Sequence, residues 1–400
     1  MKTEMFHNAS PGKLVAISGS DPRLGSWEHH AFVPNPLGTQ MPQLSPQAFL
    51  QVADARASLA ALDSTARQLP NPMLLRSPSL RREAQSTSAL EGTYAPLVEV
   101  LTADDDEPTT PELLEILNYV RTANYGVDWV GSGRPITASL LNELHGLLLY
   151  GTALHDKAGG LRDSQVVIGR REDALPTDLS IHGARFVPSP PGLALEFGVQ
   201  ELVDWLRADH SGVIDPIVAA AMSHYQFETL HPYYDGNGRI GRLLIVLYLQ
   251  QVGVLSEPTL AVSPWFEARR TQYYDHLLSV STSNDWDGFV QFFAQGLNQA
   301  AQSTRKQMIA LVSAQEELKD VIRSSTLRAD SAQALVDVAV ANPSFTVRKV
   351  EAELGLSYGR ANKLVGQLVD LDVLDVVDPG AYKRRFFAPR VLEVLTSGAR

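Results

Sequence analysis

The stretch His231-Pro-Tyr-Tyr-Asp-Gly-Asn-Gly-Arg-Ile-Gly-Arg242 lies between two helical patterns, and each of its residue types has a chemical use. Gly236 and Gly238 flank Asn237 where a helix begins. Backbone N–H groups can therefore converge on one point with the positive end of the helix dipole behind them, which makes an anion nest. Arg239 and Arg242 are three apart on that helix and share a face, where two guanidinium forks can bracket phosphate groups. Asp235, next to the nest, offers a hard oxygen for Mg²⁺. His231, with an ordinary pKa of roughly 6.5, can take a proton from an attacking hydroxyl near neutral pH. Taken singly these residues read as a cap, a turn and a solvated face. The roles of cap, turn and surface do not predict the whole string.

Working outward, helical patterns flank the string at Asp215 to Leu230, with Asp215 as N-cap and Pro216 in the first turn, and at Gly238 to Val252, with Gly253 as C-cap. Between Gly159 and Pro191 the signature changes. Gln165-Val-Val-Ile168 and Arg185-Phe-Val187 read as two short strands of a hairpin or flap in an otherwise helical region. Upstream, 1–46 is rich in Pro, Gly and Asn and reads as an irregular arm. A helix starts at Ser45-Pro46 and ends before Leu69-Pro-Asn-Pro72, and a second runs from Ser77 to Val100, closed by the acidic loop Asp104 to Glu107. Further helices are expected at Pro111 to Tyr125, Ile136 to Tyr150, Leu193 to Ala208, Glu267 to Ser281 and Trp286 to Leu327.

At 400 residues the chain is too long for one ordinary core, since single cores rarely exceed ~250 to 300 residues. A net charge of −11 excludes a globally basic nucleic-acid coat, and the absence of cysteine excludes disulfides, thiolate zinc sites, iron–sulfur clusters and a Cys nucleophile. The chemistry must run on His, carboxylates, Arg, hydroxyls and backbone. The longest apolar run, Leu243 to Leu249, is far short of a bilayer span, and residues 1–20 have no signal-peptide core. A cytoplasmic protein without membrane contact is expected.

The string from His231 to Arg242 resembles the signature of the Fic family, H-P-F-x-(D/E)-G-N-G-R-x-x-R, with Tyr233 in place of the usual Phe. The family mostly transfers AMP from ATP to a Ser, Thr or Tyr hydroxyl of a target protein. The resemblance implies His231 as base, Asp235 as Mg²⁺ ligand, and Gly236, Asn237 and Gly238 as the anion nest. It also implies that Arg239, Ile240, Gly241 and Arg242 form the phosphate-clamping turn. Gly160 to Gly169 and Ala184 to Pro191 resemble the family's flap, on which a target segment docks near 162–169 by strand addition. Ile168, Gly169, Arg170 and Arg171 would lie along the nucleotide, with Tyr274 stacking on the adenine; Ser281 stands where some members carry an amide. Thr87, Glu91 and Gly92 resemble the inhibitory motif (S/T)-x-x-x-E-(G/N), in which Glu91 would pair with Arg242 and hold ATP in an unproductive pose.

Residues 329–400 read as a helix-turn-helix, with Val347 to Leu354, Gly355 and a helix opened by Ser357, followed by a hairpin from Leu374 to Phe387. They resemble a winged helix. From residue 331 onward there are 9 Lys plus Arg against 8 Asp plus Glu, so any DNA contact through 357–385 rests on Arg360, Lys363 and the triplet Lys383, Arg384 and Arg385. A protein-interaction or dimerisation module is the alternative. The expected fold is mostly α: a Fic-type helical bundle with a β-hairpin flap, an N-terminal helical region and a C-terminal winged helix. Its segments are 1–110, 111–300 for the catalytic core, a linking helix at 301–328, and 329–400. The expected function is an adenylyltransferase using ATP and Mg²⁺ and autoinhibited by Glu91. The alternatives are AMP removal, another Fic-type phosphotransfer, or a DNA-binding regulator with a nucleotide-sensing core. Homodimerisation stays open.

Overall fold

The computed structural model describes all residues except 7–10, 22–24, 40, 69–75, 105–106, 258, 328–329, 381–382 and 398–400. In chain order the elements are strands β1 (Gly12–Asp21) and β2 (Gly25–Pro34), then helices α1 (Pro46–Gln68), α2 (Arg76–Leu90), α3 (Leu97–Thr102), α4 (Pro111–Gly131) and α5 (Ala138–Leu148). The flap follows as β3 (Ile168–Arg170), α6 (Ser180–Gly183) and β4 (Ala184–Phe186). Next come α7 (Leu193–Arg207), α8 (Pro216–Leu230), α9 (Asn237–Gln251), α10 (Ser263–Glu267), α11 (Arg270–Ser283) and α12 (Trp286–Ser324). The C-terminal elements are α13 (Asp330–Ala341), β5 (Phe345–Thr346), α14 (Val347–Leu354), α15 (Tyr358–Asp370), β6 (Asp375–Val376), β7 (Arg385–Phe387) and α16 (Pro389–Thr396). The fold is mostly α, as the periodicity predicts.

The chain forms two compact units that do not follow its linear order. One gathers Met1–Leu59, Arg121–Leu255 and Trp265–Gln299, and the other Ala60–Val120, Ser256–Pro264 and Ala300–Arg400. The boundary expected near residue 300 falls inside α12, which is a single 39-residue helix.

The first unit is organised on α8 and α9, both buried on nearly every face. Such helices need an apolar side chain at most positions, and the run Leu243 to Leu249 supplies it. The Asp215 carboxylate caps α8 by accepting from the Ile217 N–H at 2.8 Å, with Pro216 at the first helical position. Gly241 lets α9 approach α8, since a Cβ there would fall 3.0 Å from the Phe227 ring and closer still to the Glu228 carboxylate.

The irregular arm expected over 1–46 is a correction. Residues 12–21 and 25–34 form a ten-residue antiparallel pair with register Gly12↔Pro34 to Asp21↔Gly25. Leu14-Val-Ala-Ile17 has the β-branched content of a strand, but the Pro, Gly and Asn on either side of it mask the signal. The pair seats Phe32 against Phe6 and Phe186, and the Phe32 N–H donates to the Val187 carbonyl at 2.9 Å. In the flap the strands pair Ile168↔Phe186 and Arg170↔Ala184, three residues later than expected for the first strand, because Gln165 turns its amide onto the Pro188 carbonyl at 3.0 Å.

In the second unit the helix expected over 77–100 breaks into α2 and α3. Gly92 adopts φ 95, and the N–H groups of Gly92 and Thr93 close the end of α2 on the Ala89 and Ser88 carbonyls. Glu83 is buried in α2 and accepts from the Ser263 backbone N–H at 2.9 Å and from the Ser263 hydroxyl. In the first unit the helix expected over 267–281 is α11, shifted to 270–283, with the short α10 ahead of it. The helix-turn-helix is present: Gly355 turns the chain at φ 61 between α14 and α15, and the three strands are ordered β5-β7-β6. The expected helix end at Leu69 to Pro72 and the start of the wing strand at Tyr382 lie outside the described residues.

The wing triplet does not present one free basic face, which is a second correction. Arg385 is half-buried, 3.0 Å from the Asp104 carboxylate, and its guanidinium also donates to the Ala103 carbonyl and the Ser344 hydroxyl. Lys383 pairs with Glu107. Arg360 and Lys363 are exposed on α15, as expected.

Removing the Phe32 ring takes out a fully buried group shared by the N-terminal strands and the flap. Phe32→Ala should cost about 3 to 5 kcal/mol of unfolding free energy. Urea titration followed by circular dichroism checks this, and a loss below 1 kcal/mol would contradict the packing.

Candidate active site

The turn from His231 to Gly236 joins α8 to α9 in the first unit, and two buried polar side chains from distant parts of the chain hold it. His231 caps α8 with φ 50 and ψ 62, a left-handed conformation uncommon for a residue with a Cβ, and its N–H closes on the Phe227 carbonyl at 3.0 Å. Its Nδ1 lies 3.3 Å from the Glu228 carbonyl, which assigns the proton to Nδ1 and leaves Nε2 as the basic atom. Gly236 begins α9 at φ 77, where a Cβ would meet Leu148 at 2.8 Å. The first helical bond of α9 is Ile240 N–H to Gly236 carbonyl, so the N–H groups of Asn237, Gly238 and Arg239 precede it and point along the axis. That is the geometry an anion nest requires.

The Asn237 side chain does other work: its amide bridges the Tyr233 N–H at 2.9 Å and the Tyr233 carbonyl at 2.8 Å, locking the turn. Tyr233 is fully buried, and its hydroxyl donates to Asn142 at 3.0 Å. The substitution for Phe therefore brings its own partner. Burial raises the Tyr233 phenol well above its ordinary pKa, so it stays protonated and donates. Its ring stacks on His145 with centroids 3.9 Å apart. His145 accepts the Gly159 N–H on Nδ1 at 3.0 Å, so Nε2 carries the proton and donates to the Asp235 carbonyl at 3.1 Å. Burial pushes the His145 pKa down to about 4, which preserves this neutral tautomer.

Arg239 and Arg242 are buried, with 1% and 0% of their surface exposed, and they lie on α9 as expected. Arg239 reaches back one turn to the Asp235 carboxylate at 2.5 Å, while the Asp235 side chain remains 42% exposed. Among the described residues no three carboxylates, histidines or cysteines gather as a metal cage. A half-exposed carboxylate that shares one oxygen with Arg239 suits Mg²⁺ held mainly by nucleotide phosphates and water.

Several expected nucleotide contacts change character. The Arg171 guanidinium is engaged within the flap by Asp173 at 3.2 Å and the His182 carbonyl, and that of Arg170 by the Leu175 carbonyl. Their side chains hold the loop, leaving the backbone of Ile168 to Arg171 to line the edge. Gly169 adopts φ 60 there. Tyr274 is half-buried beside Tyr273, with Arg270 5.9 Å from its ring, and Arg185 of the flap pairs with Asp275 next to it. Ser281 is bonded to the Tyr225 hydroxyl at 2.8 Å, which accounts for its small side chain without an adenine contact. Thr87 and Glu91 belong to the second unit: Thr87 is buried within α2 and Glu91 is exposed just past its end.

Sequence reading passed over Arg162, His145, Asn142 and Tyr234. Tyr234 accepts from the Asp163 N–H at 3.2 Å and the Ser164 hydroxyl at 3.0 Å, fixing the start of the flap. Tyr234 and Arg162 lie inside the signature and flap stretches but at positions given no role there, and each of the four acts across at least 69 residues of chain.

Behind the turn, His224 of α8 donates from Nδ1 to the Gly241 carbonyl at 3.0 Å and accepts the Tyr273 hydroxyl on Nε2 at 2.7 Å. Burial lowers its pKa to about 3. A base whose folded pKa is depressed binds its proton only on unfolding, so its full contribution to stability is present above ~6.5. That contribution is lost as pH falls toward the folded value. Between pH 6.5 and 5 this residue alone should remove about 2 kcal/mol. Urea titrations of the parent and His224→Gln at both pH values check this, the variant losing less between them. Equal losses would refute it.

Comparison with known proteins follows the same lines. The model of the Fic/DOC family N-terminal region matches residues 49–128, and that of the Fic/DOC family matches 135–249. Protein adenylyltransferase Fic of Drosophila melanogaster is 35% identical over 112 residues, covering 28% of this chain and 21% of that protein. Protein adenylyltransferase fic-1 of Caenorhabditis elegans is 33% identical over 153 residues, covering 38% and 25%. The chain thus spans about a fifth to a quarter of the length of these curated relatives. A Fic family protein from Desulfovibrio desulfuricans G20 shares the fold over 87% of this chain and 98% of its own, at 22% identity and a TM-score of 0.54. Fic-1 from C. elegans covers 66% and 74%, at 22% identity and a TM-score of 0.50. The chain carries the N-terminal and Fic domains of the Fic/DOC family.

Proposed function

We propose that the protein is an adenylyltransferase that moves AMP from ATP onto a Ser, Thr or Tyr hydroxyl of a protein. The observation that carries this reading is the placement of His231 at the end of α8, with Nε2 basic, one short turn before the first N–H groups of α9. The relatives' names point the same way.

In the reaction the hydroxyl oxygen attacks the α-phosphorus of ATP while His231 Nε2 takes its proton. The new O–Pα bond forms as the bond from Pα to the bridging oxygen breaks, and pyrophosphate leaves with that electron pair. The N–H groups of Asn237, Gly238 and Arg239 would receive developing negative charge, and the buried Arg242, with Arg239 once Asp235 turns to Mg²⁺, would add positive charge that water barely screens. Mg²⁺, when bound beside Asp235, neutralises phosphate charge. The flap edge at 162–169 would hold the target segment, and Tyr274 the adenine.

The brake belongs to the same reading. Glu91 follows a helix whose Thr87 is buried, and the motif Thr87, Glu91, Gly92 supports restraint of the reaction through pairing of Glu91 with Arg242. Removing the carboxylate should release activity.

Intact-mass spectrometry after incubation with Mg·ATP tests both claims. Glu91→Gly should gain adducts of about 329 Da, and Glu91→Gly with His231→Ala should gain none. Adducts of about 80 Da would indicate phosphoryl transfer instead, and equal labelling of parent and Glu91→Gly would remove the brake.

A further inference from the structure

We propose that Arg162 is a positioning residue for His231, a clamp that fixes the base and ties it to the flap. The proposal rests on the adenylyl-transfer reading for its kinetic test and on geometry alone for its structural one.

Arg162 is 2% exposed, and none of its guanidinium bonds goes to a carboxylate. Nε donates to the His231 carbonyl at 2.8 Å, Nη1 to the Ser164 carbonyl at 3.1 Å, and Nη2 to the Ser189 carbonyl and to Leu230 at 3.4 Å. Its own backbone N–H donates to the Pro232 carbonyl at 3.0 Å. One planar fork therefore meets three stretches of chain: the end of α8, the start of the flap and the segment after β4.

Helix geometry explains the need for it. The last carbonyls of α8 have no N–H one turn ahead to accept from, and they form the negative end of the helix dipole. The usual solution is a glycine just past the helix, but here that place holds a histidine at φ 50. A left-handed residue with a Cβ is strained and persists only when its surroundings over-determine it. Arg162 supplies that determination, because its donors match the Leu230 and His231 carbonyls only when the chain turns this way. With φ and ψ held, the imidazole root is held, and Nδ1 reaches the Glu228 carbonyl. The same fork grips Ser164 and Ser189, so the flap that would carry the attacking hydroxyl and the base that would deprotonate it share one anchor.

A lysine at 162 keeps the charge but cannot reproduce a fork of fixed directions. A group misplaced by about 1 Å can lose about 10²-fold in rate, and that loss appears in kcat, whereas ATP binding depends on α9.

The test uses the full chain carrying Glu91→Gly. Arg162→Lys should lower kcat for AMP transfer by about 10²-fold and leave KM for ATP within about threefold. In the same variant the NMR titration midpoint of the His231 imidazole should shift. In the unaltered protein the Arg162 Nε–H should exchange with water at least about 10²-fold more slowly than a free guanidinium. Unchanged kcat, or an unshifted His231 midpoint in a folded Arg162→Lys protein, overturns the proposal. So does fast Nε–H exchange, a measurement that needs no variant to fold. If Glu91→Gly itself transfers no AMP, the functional reading fails while the NMR measurements still decide the clamp.

Discussion

The end of α8 is the constraint on which the rest of the site depends. A helix cannot satisfy its own last carbonyls, and here the chain must also reverse within six residues so that α9 starts beside it. Water cannot solve the problem, because Leu230 and Pro232 are buried. A guanidinium can, since it offers up to five donors in one plane and keeps its charge. Burial lowers the pKa of Arg162 only to about 10, well above neutral. The cost of burying that cation is offset by carbonyl dipoles already pointing at it.

The same turn is held from behind by a neutral group. His145 supplies one donor and one acceptor, and its ring stacks on Tyr233, so the carbonyl of Asp235 and the position of Gly236 follow from α5. The two supports differ in kind for a physical reason. The end of a helix is negative and suits a cation, whereas the start of α9 is positive and would be opposed by one. A charged histidine there would also lose the Nδ1 lone pair that accepts the Gly159 N–H. Burial keeps it neutral.

Much of this was legible in the sequence, and what was not has a common cause. Residues 231–242 could be read because the nest, the clamps and the base are contiguous and obey helix spacing. The helices around them could be read because buried helices are long and apolar. Arg162 and His145 could not, because an arginine after Gly160-Leu161 and a histidine within a leucine-rich helix are unremarkable in their local context. They acquire meaning only across 69 and 90 residues. The strands at 12–34 were missed because the flanking Pro, Gly and Asn outweighed a four-residue apolar run. The wing was misjudged for the opposite reason: three consecutive cations suggest a surface patch, yet Asp104, Glu107 and the Ala103 carbonyl take up two of them. Local pattern reports what a residue is able to do, and tertiary contacts decide whether it is already doing something else.

Charge illustrates the same separation between count and place. The net −11 describes the surface, where water and salt screen a charge within about 8 to 10 Å. Arg239 and Arg242 are at most 1% exposed and lie outside that regime, although the Asp235 carboxylate at 2.5 Å offsets part of the Arg239 charge. A polyanion approaching from solvent meets a net negative chain, while a small anion that reaches the start of α9 meets a helix dipole and two buried guanidinium groups, one of them already paired with Asp235. An acidic protein can therefore favour a small phosphate compound over a polymeric one, because burial makes a few positive charges count for more than the many negative ones outside.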